Sequence, residues 1–86
     1  MPEMTDEELE AIRNRAERAS PGPWRSYIEG RDHWGGDHFI MVGEEGSNQI
    51  DLYISPWRAE DQDFIAQARQ DIPRLLAEIN RLKRER

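Results

Sequence analysis

The chain has 86 residues, 36% hydrophobic and 8% aromatic, which leaves room for one small domain with a modest core. Twelve Lys plus Arg against 18 Asp plus Glu give a net charge of −6, a field that repels phosphate and disfavours nucleic acid and anionic lipid as partners. The lack of cysteine excludes disulfides and thiolate sites, and no apolar run approaches the roughly 20 residues of a membrane span.

The acidic start, Met1-Pro-Glu-Met-Thr-Asp-Glu-Glu8, has no apolar stretch of the kind a secretory signal needs, so a cytoplasmic protein is expected. Residues 1–19 and residues 20–58 each carry three Arg against six acids, whereas residues 59–86 balance six bases against six acids. The acidity therefore belongs to the first two thirds of the chain.

A first helix is predicted over 5–19. Thr5 followed by Glu8 has capping-box spacing, Asp6, Glu7 and Glu8 suit the positive end of the helix dipole, and Arg15 and Arg18 suit the negative end. Leu9, Ile12, Ala16 and Ala19 make one narrow apolar stripe. Ser20-Pro-Gly-Pro23 stops the helix, with Pro21-Gly22 expected as the centre of a type II turn.

Residues 24–54 read as a three-stranded sheet. Trp24–Glu29 is aromatic and β-branched, Phe39–Val42 is a short apolar run, and Gln49–Ile54 alternates, with Ile50, Leu52 and Ile54 on a face that needs covering. Connections this short require antiparallel pairing, and residues 43–48 form a hairpin loop.

A closing helix is predicted over 60–84. Ile65, Ala68, Ile72, Leu75, Ile79 and Leu82 fall at steps of 3, 4, 3, 4 and 3, the spacing of a heptad seam, with Arg69, Arg74, Glu78 and Arg81 around it. Pro73 kinks this helix, or breaks it with Asp71 as the cap of a second one. The fold class expected is α+β: helix, three-stranded antiparallel sheet, long C-terminal helix, in a single domain. Packing of the seam against the first helix and the sheet favours a monomer, with a homodimer through residues 65–82 as the alternative.

The residues with chemistry gather in Gly30–His38, which holds both histidines, two Asp, an Arg, a Trp and three of six glycines. Asp32, His33, Asp37 and His38 are possible metal ligands, but their spacing matches no zinc motif, so no metal and no cofactor is expected. No Ser or Cys stands in a nucleophile setting, so no catalytic residue is assigned and no enzyme is expected. Trp34 either folds back to cap the core or stands out as an anchor for a partner. Trp24, Tyr27 and Trp57, with Arg25, Arg31 and Arg58, offer a possible aromatic pocket for a flat ligand, against which stands their use as core.

The stretch Met4-Thr-Asp-Glu-Glu-Leu-Glu-Ala-Ile-Arg13 with Ala19-Ser-Pro-Gly-Pro-Trp24 resembles a recurrent opening of small bacterial and phage proteins without an established activity. Asp63-Phe-Ile-Ala-Gln-Ala-Arg-Gln-Asp-Ile-Pro-Arg-Leu-Leu-Ala-Glu-Ile-Asn-Arg-Leu82 is similar to their closing helix. That resemblance implies the order helix, sheet, helix and an accessory role, and it transfers no site. The functional expectation is a non-enzymatic acidic protein that docks on, and inhibits, a partner protein. In that reading Glu3, Asp6, Glu7 and Glu10 steer, and Arg31, Asp32, His33, Trp34, Asp37 and His38 anchor, beside Trp24 and Arg25. The alternative is a binder of a nucleotide-like anion through the same loop; a metal-dependent hydrolase stands third.

Overall fold

The computed structural model describes residues 3–44, 46, 49–55 and 58–85. Helix α1 (Asp6–Arg18) leads into a sheet of β1 (Trp24–Tyr27), β2 (Phe39–Val42) and β3 (Ile50–Tyr53), and helix α2 (Ala59–Arg84) closes the chain, an α+β architecture. The α1 start forms the capping box: Thr5 Oγ1 accepts from the Glu8 N–H at 3.1 Å while Glu8 Oε1 accepts from the Thr5 N–H at 2.8 Å. Two of the four amide donors orphaned at the helix start are thereby satisfied.

The sheet is an antiparallel meander in the order β1-β2-β3, with Trp24 opposite Val42, Tyr27 opposite Phe39, Phe39 opposite Tyr53 and Val42 opposite Ile50. Between α1 and β1 the turn differs from the expected type II. Such a turn needs Gly22 at positive φ, but the positive-φ glycines are Gly30, Gly36, Gly43 and Gly46, and the Gly22–Pro23 peptide is cis. The Trp24 indole N–H and Arg69 Nε both donate to the Ser20 carbonyl, at 3.2 and 2.9 Å, which ties the turn to α2. Of the hairpin loop expected over 43–48, Glu45, Ser47 and Asn48 lie outside the described residues.

The buried core is Ile40, Val42 and Ala66, with Trp24 and Ile54 packed against it. Helix α2 lies across β1, and two glutamines on its sheet-facing row make the polar contacts. Gln62, fully buried, donates through Nε2 to Ser26 Oγ and to the carbonyls of Tyr27 and Phe39 at 2.9–3.1 Å. Two turns on, Gln70 engages the backbone of Trp24.

Two expectations about burial give way. Ile50 and Leu52 share the helix-facing side with Ile40 and Val42, yet they are 64% and 40% exposed, because α2 covers β1 and β2 and leaves β3 in the open; only Ile54 reaches the core. The seam of α2 is also uncovered, with Ile65, Ile72, Leu75, Ile79 and Leu82 between 36% and 60% exposed. The helix turns Gln62, Ala66 and Leu76 inward instead. It runs through Pro73 without a break, so Asp71 caps nothing and accepts a hydrogen bond from Gln67 Nε2.

Helix α1 lies antiparallel to α2. Asp6 pairs with Lys83 near one end and Ser20 meets Arg69 near the other. The expected stripe Leu9, Ile12, Ala16 and Ala19 faces the neighbouring seam, and the two line an open apolar groove of about 580 Å³. No helix among the described residues is long and apolar enough to cross a membrane.

Candidate functional site

The β1–β2 connection is built by short-range bonds. The Ile28 carbonyl accepts from the N–H groups of Arg31 and Asp32 at 3.1 and 2.8 Å, and Asp32 Oδ2 accepts from the Ile28 N–H at 2.8 Å. The Gly30 N–H donates to the His33 carbonyl at 2.8 Å, with Gly30 at a φ of 85° that only glycine adopts cheaply. His33 Nδ1 accepts from the Gly35 N–H at 3.0 Å, and His38 Nδ1 accepts from the Glu29 N–H at 3.2 Å. Both histidines thus serve the loop backbone.

Arg31 fastens this turn to α2. Its guanidinium makes a two-pronged contact with Asp63, Nη1 to Oδ2 at 2.8 Å and Nη2 to Oδ1 at 2.9 Å, and also donates through Nε and Nη2 to Asp32 at 2.9 and 2.7 Å. Arg31 holds the Asp63 carboxyl down at about 2, aided by the Ser26 hydroxyl, and Arg31 followed by the Ile28 N–H lowers that of Asp32. The hydrogen bonds of Asp63 and Asp32 in turn raise the Arg31 guanidinium above its ordinary value. A continuous chain of polar contacts runs from Gln62 through Ser26, Asp63 and Arg31 to Asp32 and the main chain of Ile28.

Trp34 follows this fastened turn and is 84% exposed. The alternative in which it caps the core therefore fails; the loop holds it away from the body. The sheet face turned from α2 is aromatic too. Tyr27 stacks on Phe39 at 5.2 Å, Phe39 meets Tyr53 at 5.8 Å, and His33 stands edge-on to Phe39 at 5.0 Å. Tyr53 is 62% exposed, and Phe64, which follows Asp63 on α2, is 74% exposed.

The structure separates several residues grouped in the sequence reading. Trp24 packs on the helix side of the sheet with Ile40 and Val42, whereas Arg25 and Tyr27 occupy the opposite side, so Trp24 and Tyr27 do not form one pocket. Trp57 lies outside the described residues. Asp37 and His38 line a small cleft with Tyr53 and Ser55, apart from the Arg31–Asp63 pair. No three His, Asp or Glu side chains among the described residues come together as metal ligands. The acidic start of α1 is remote: Asp6 sits at Lys83, twenty residues of helix from Asp63, about 30 Å at 1.5 Å per residue.

Asp63, Gln62 and Gln70 were not singled out by sequence reasoning. The available signal was the row Gln62, Ala66, Gln70, spaced i, i+4, i+8, which puts two amides on one helix face with a small residue between them. Comparison with protein-family models, with curated protein sequences and with solved structures found no match.

Proposed function

We propose that the protein is a non-enzymatic docking module whose contact end is the β1–β2 loop, with Trp34 as the anchor. The observation that carries this reading is the 84% exposure of Trp34 directly after a turn secured to α2 by Arg31 and Asp63. A large aromatic on a rigid support loses little entropy on binding and contributes strongly when a partner covers it. Tyr53, also exposed, lines a cleft with Gly36, Asp37 and His38 of the loop and extends the apolar surface available there.

The partner that fits is a protein with a basic surface. Around the anchor, Arg31 is outnumbered by Glu29, Asp32, Asp37 and Asp63, and its charge is neutralised by two of them. That balance attracts cations and favours a basic protein over the nucleotide-like anion, for which Arg31 was the natural ligand. The acidic first turn of α1, about 30 Å away, adds to the net field and does not belong to the same contact patch.

The test is affinity capture at physiological salt with the full chain and its Trp34→Ala variant. A partner enriched by the wild type and lost by about tenfold or more in the variant is the expected result. Equal capture by both proteins, or no partner at all, would overturn the reading.

A further inference from the structure

We propose that the groove between α1 and α2 is filled by a second copy of this chain, with the two α2 helices packed side by side and parallel. With Ile65 as the first core position of a heptad, Ile65, Ile72 and Ile79 all fall at a, and Ala68, Leu75 and Leu82 fall at d. Isoleucine at a with leucine at d is the combination that favours two parallel strands, because each β-branched a side chain packs well in the hole its equivalent presents. The period is 3.5 residues, which keeps a seam facing a partner helix over three heptads. Neither the sheet nor α1 covers that seam, which stays 36–60% exposed at its five large residues.

The flanking charges bear on the direction of the two helices. At the g positions stand Phe64, Asp71 and Glu78, and at the e positions Arg69, Leu76 and Lys83. In a parallel, in-register pair each g residue faces the e residue five places on in the other chain, so Glu78, which Arg81 engages within its own helix, comes to the Lys83 that Asp6 of α1 pairs with, and no like charges oppose between the two α2 seams. An antiparallel pair with the seams aligned would instead set Asp71 against Glu78 along g, acid against acid. Pro73 falls at b, off the seam, so it does not interrupt the contact.

Helix α1 makes the arrangement a four-helix layer. It packs along the e and b flank of its own α2, against Leu76 and Pro73, and its stripe Leu9, Ile12, Ala16 and Ala19 forms the second wall of the groove. A twofold axis parallel to α2 then carries each α1 over the g flank of the other chain, covering both stripes together. Because the loop is fastened at Asp63, the parallel register also sets both Trp34 anchors at the same end of the dimer, where two weak contacts can reinforce one another.

Sedimentation equilibrium on the full chain tests this without any partner protein, and so stands or falls separately from the docking reading. At concentrations from about 5 to 500 µM the wild type is expected at twice the chain mass of 10.1 kDa. Leu75→Glu, at a d position exposed in the single chain, is expected to sediment at half the wild-type mass with unchanged far-ultraviolet circular dichroism. The chain has no cysteine, so a single Leu82→Cys reports direction: the parallel register predicts a disulfide between equivalent positions under mild oxidation. Wild type at 10.1 kDa throughout, or Leu75→Glu still at twice that mass, would overturn the dimer. A dimer whose Leu82→Cys variant stays reduced would overturn the parallel register.

Discussion

Gln70 holds both main-chain polar groups of Trp24: Oε1 accepts from the N–H at 2.8 Å and Nε2 donates to the carbonyl at 3.2 Å. Trp24 opens β1, an edge strand, so on that side the helix supplies through one side-chain amide what a neighbouring strand would supply through its backbone. Gln70→Ala leaves a half-buried N–H and carbonyl without these partners and is expected to cost about 1–3 kcal/mol, read from the urea midpoint at unchanged m. Gln70→Glu keeps only an acceptor and should fall between the two.

Ile40 and Ile50 lie on the same side of neighbouring strands, yet Ile40 is fully buried and Ile50 is 64% exposed. Ile40→Ala is expected to cost about 2–5 kcal/mol, enough to unfold much of so thinly cored a chain, while Ile50→Ala should stay below about 1 kcal/mol. Equal costs in chemical unfolding would show that β3 is covered in solution.

These two residues also mark what the sequence could convey. Periodicity located the strands and the faces of their side chains, and Thr5 with Glu8 located the start of α1, because these depend on neighbours within a few residues. Which faces α2 would cover depends on where the helix crosses the sheet. That choice is set by Gln62 and Gln70 gripping β1, an interaction spanning 35 to 46 residues that no local pattern announces. The same choice turned the seam outward. At the loop, Gly30–His38 stood out by composition, but its fastening point, Asp63, is an ordinary acid on a helix until Arg31 is brought to it.

The ion pair of Arg31 and Asp63 predicts an acid dependence. The Asp63 carboxyl, ordinarily near 3.8, is held at about 2 in the fold. A group whose folded value is depressed contributes stability that is present above its unfolded value and lost as the pH falls through the folded one. The wild-type advantage over Asp63→Asn should therefore shrink between about pH 4 and pH 2 in urea titrations and be constant above pH 5. Both side chains are over 40% exposed, so the advantage is small even at neutral pH.

Trp34→Ala is expected to leave the thermal midpoint within about 4 °C of the wild type, since an exposed ring adds little to the fold. A larger fall in calorimetry would place the ring against the body.

Thr5→Ala removes the hydroxyl that receives the Glu8 N–H and is expected to destabilise the chain by about 0.5–2 kcal/mol, with fraying of α1 visible as lost amide protection at residues 6–9.

The grip of α2 on β1 orders events during synthesis. The strands form a meander whose pairings join chain neighbours, so the two hairpins can assemble as soon as residue 53 has emerged. What β1 lacks on its outer edge at Trp24 is carried by residue 70, made later still. A nascent chain therefore spends an interval with an open strand edge and with Ile40 and Val42 uncovered, and the emergence of one helix ends it.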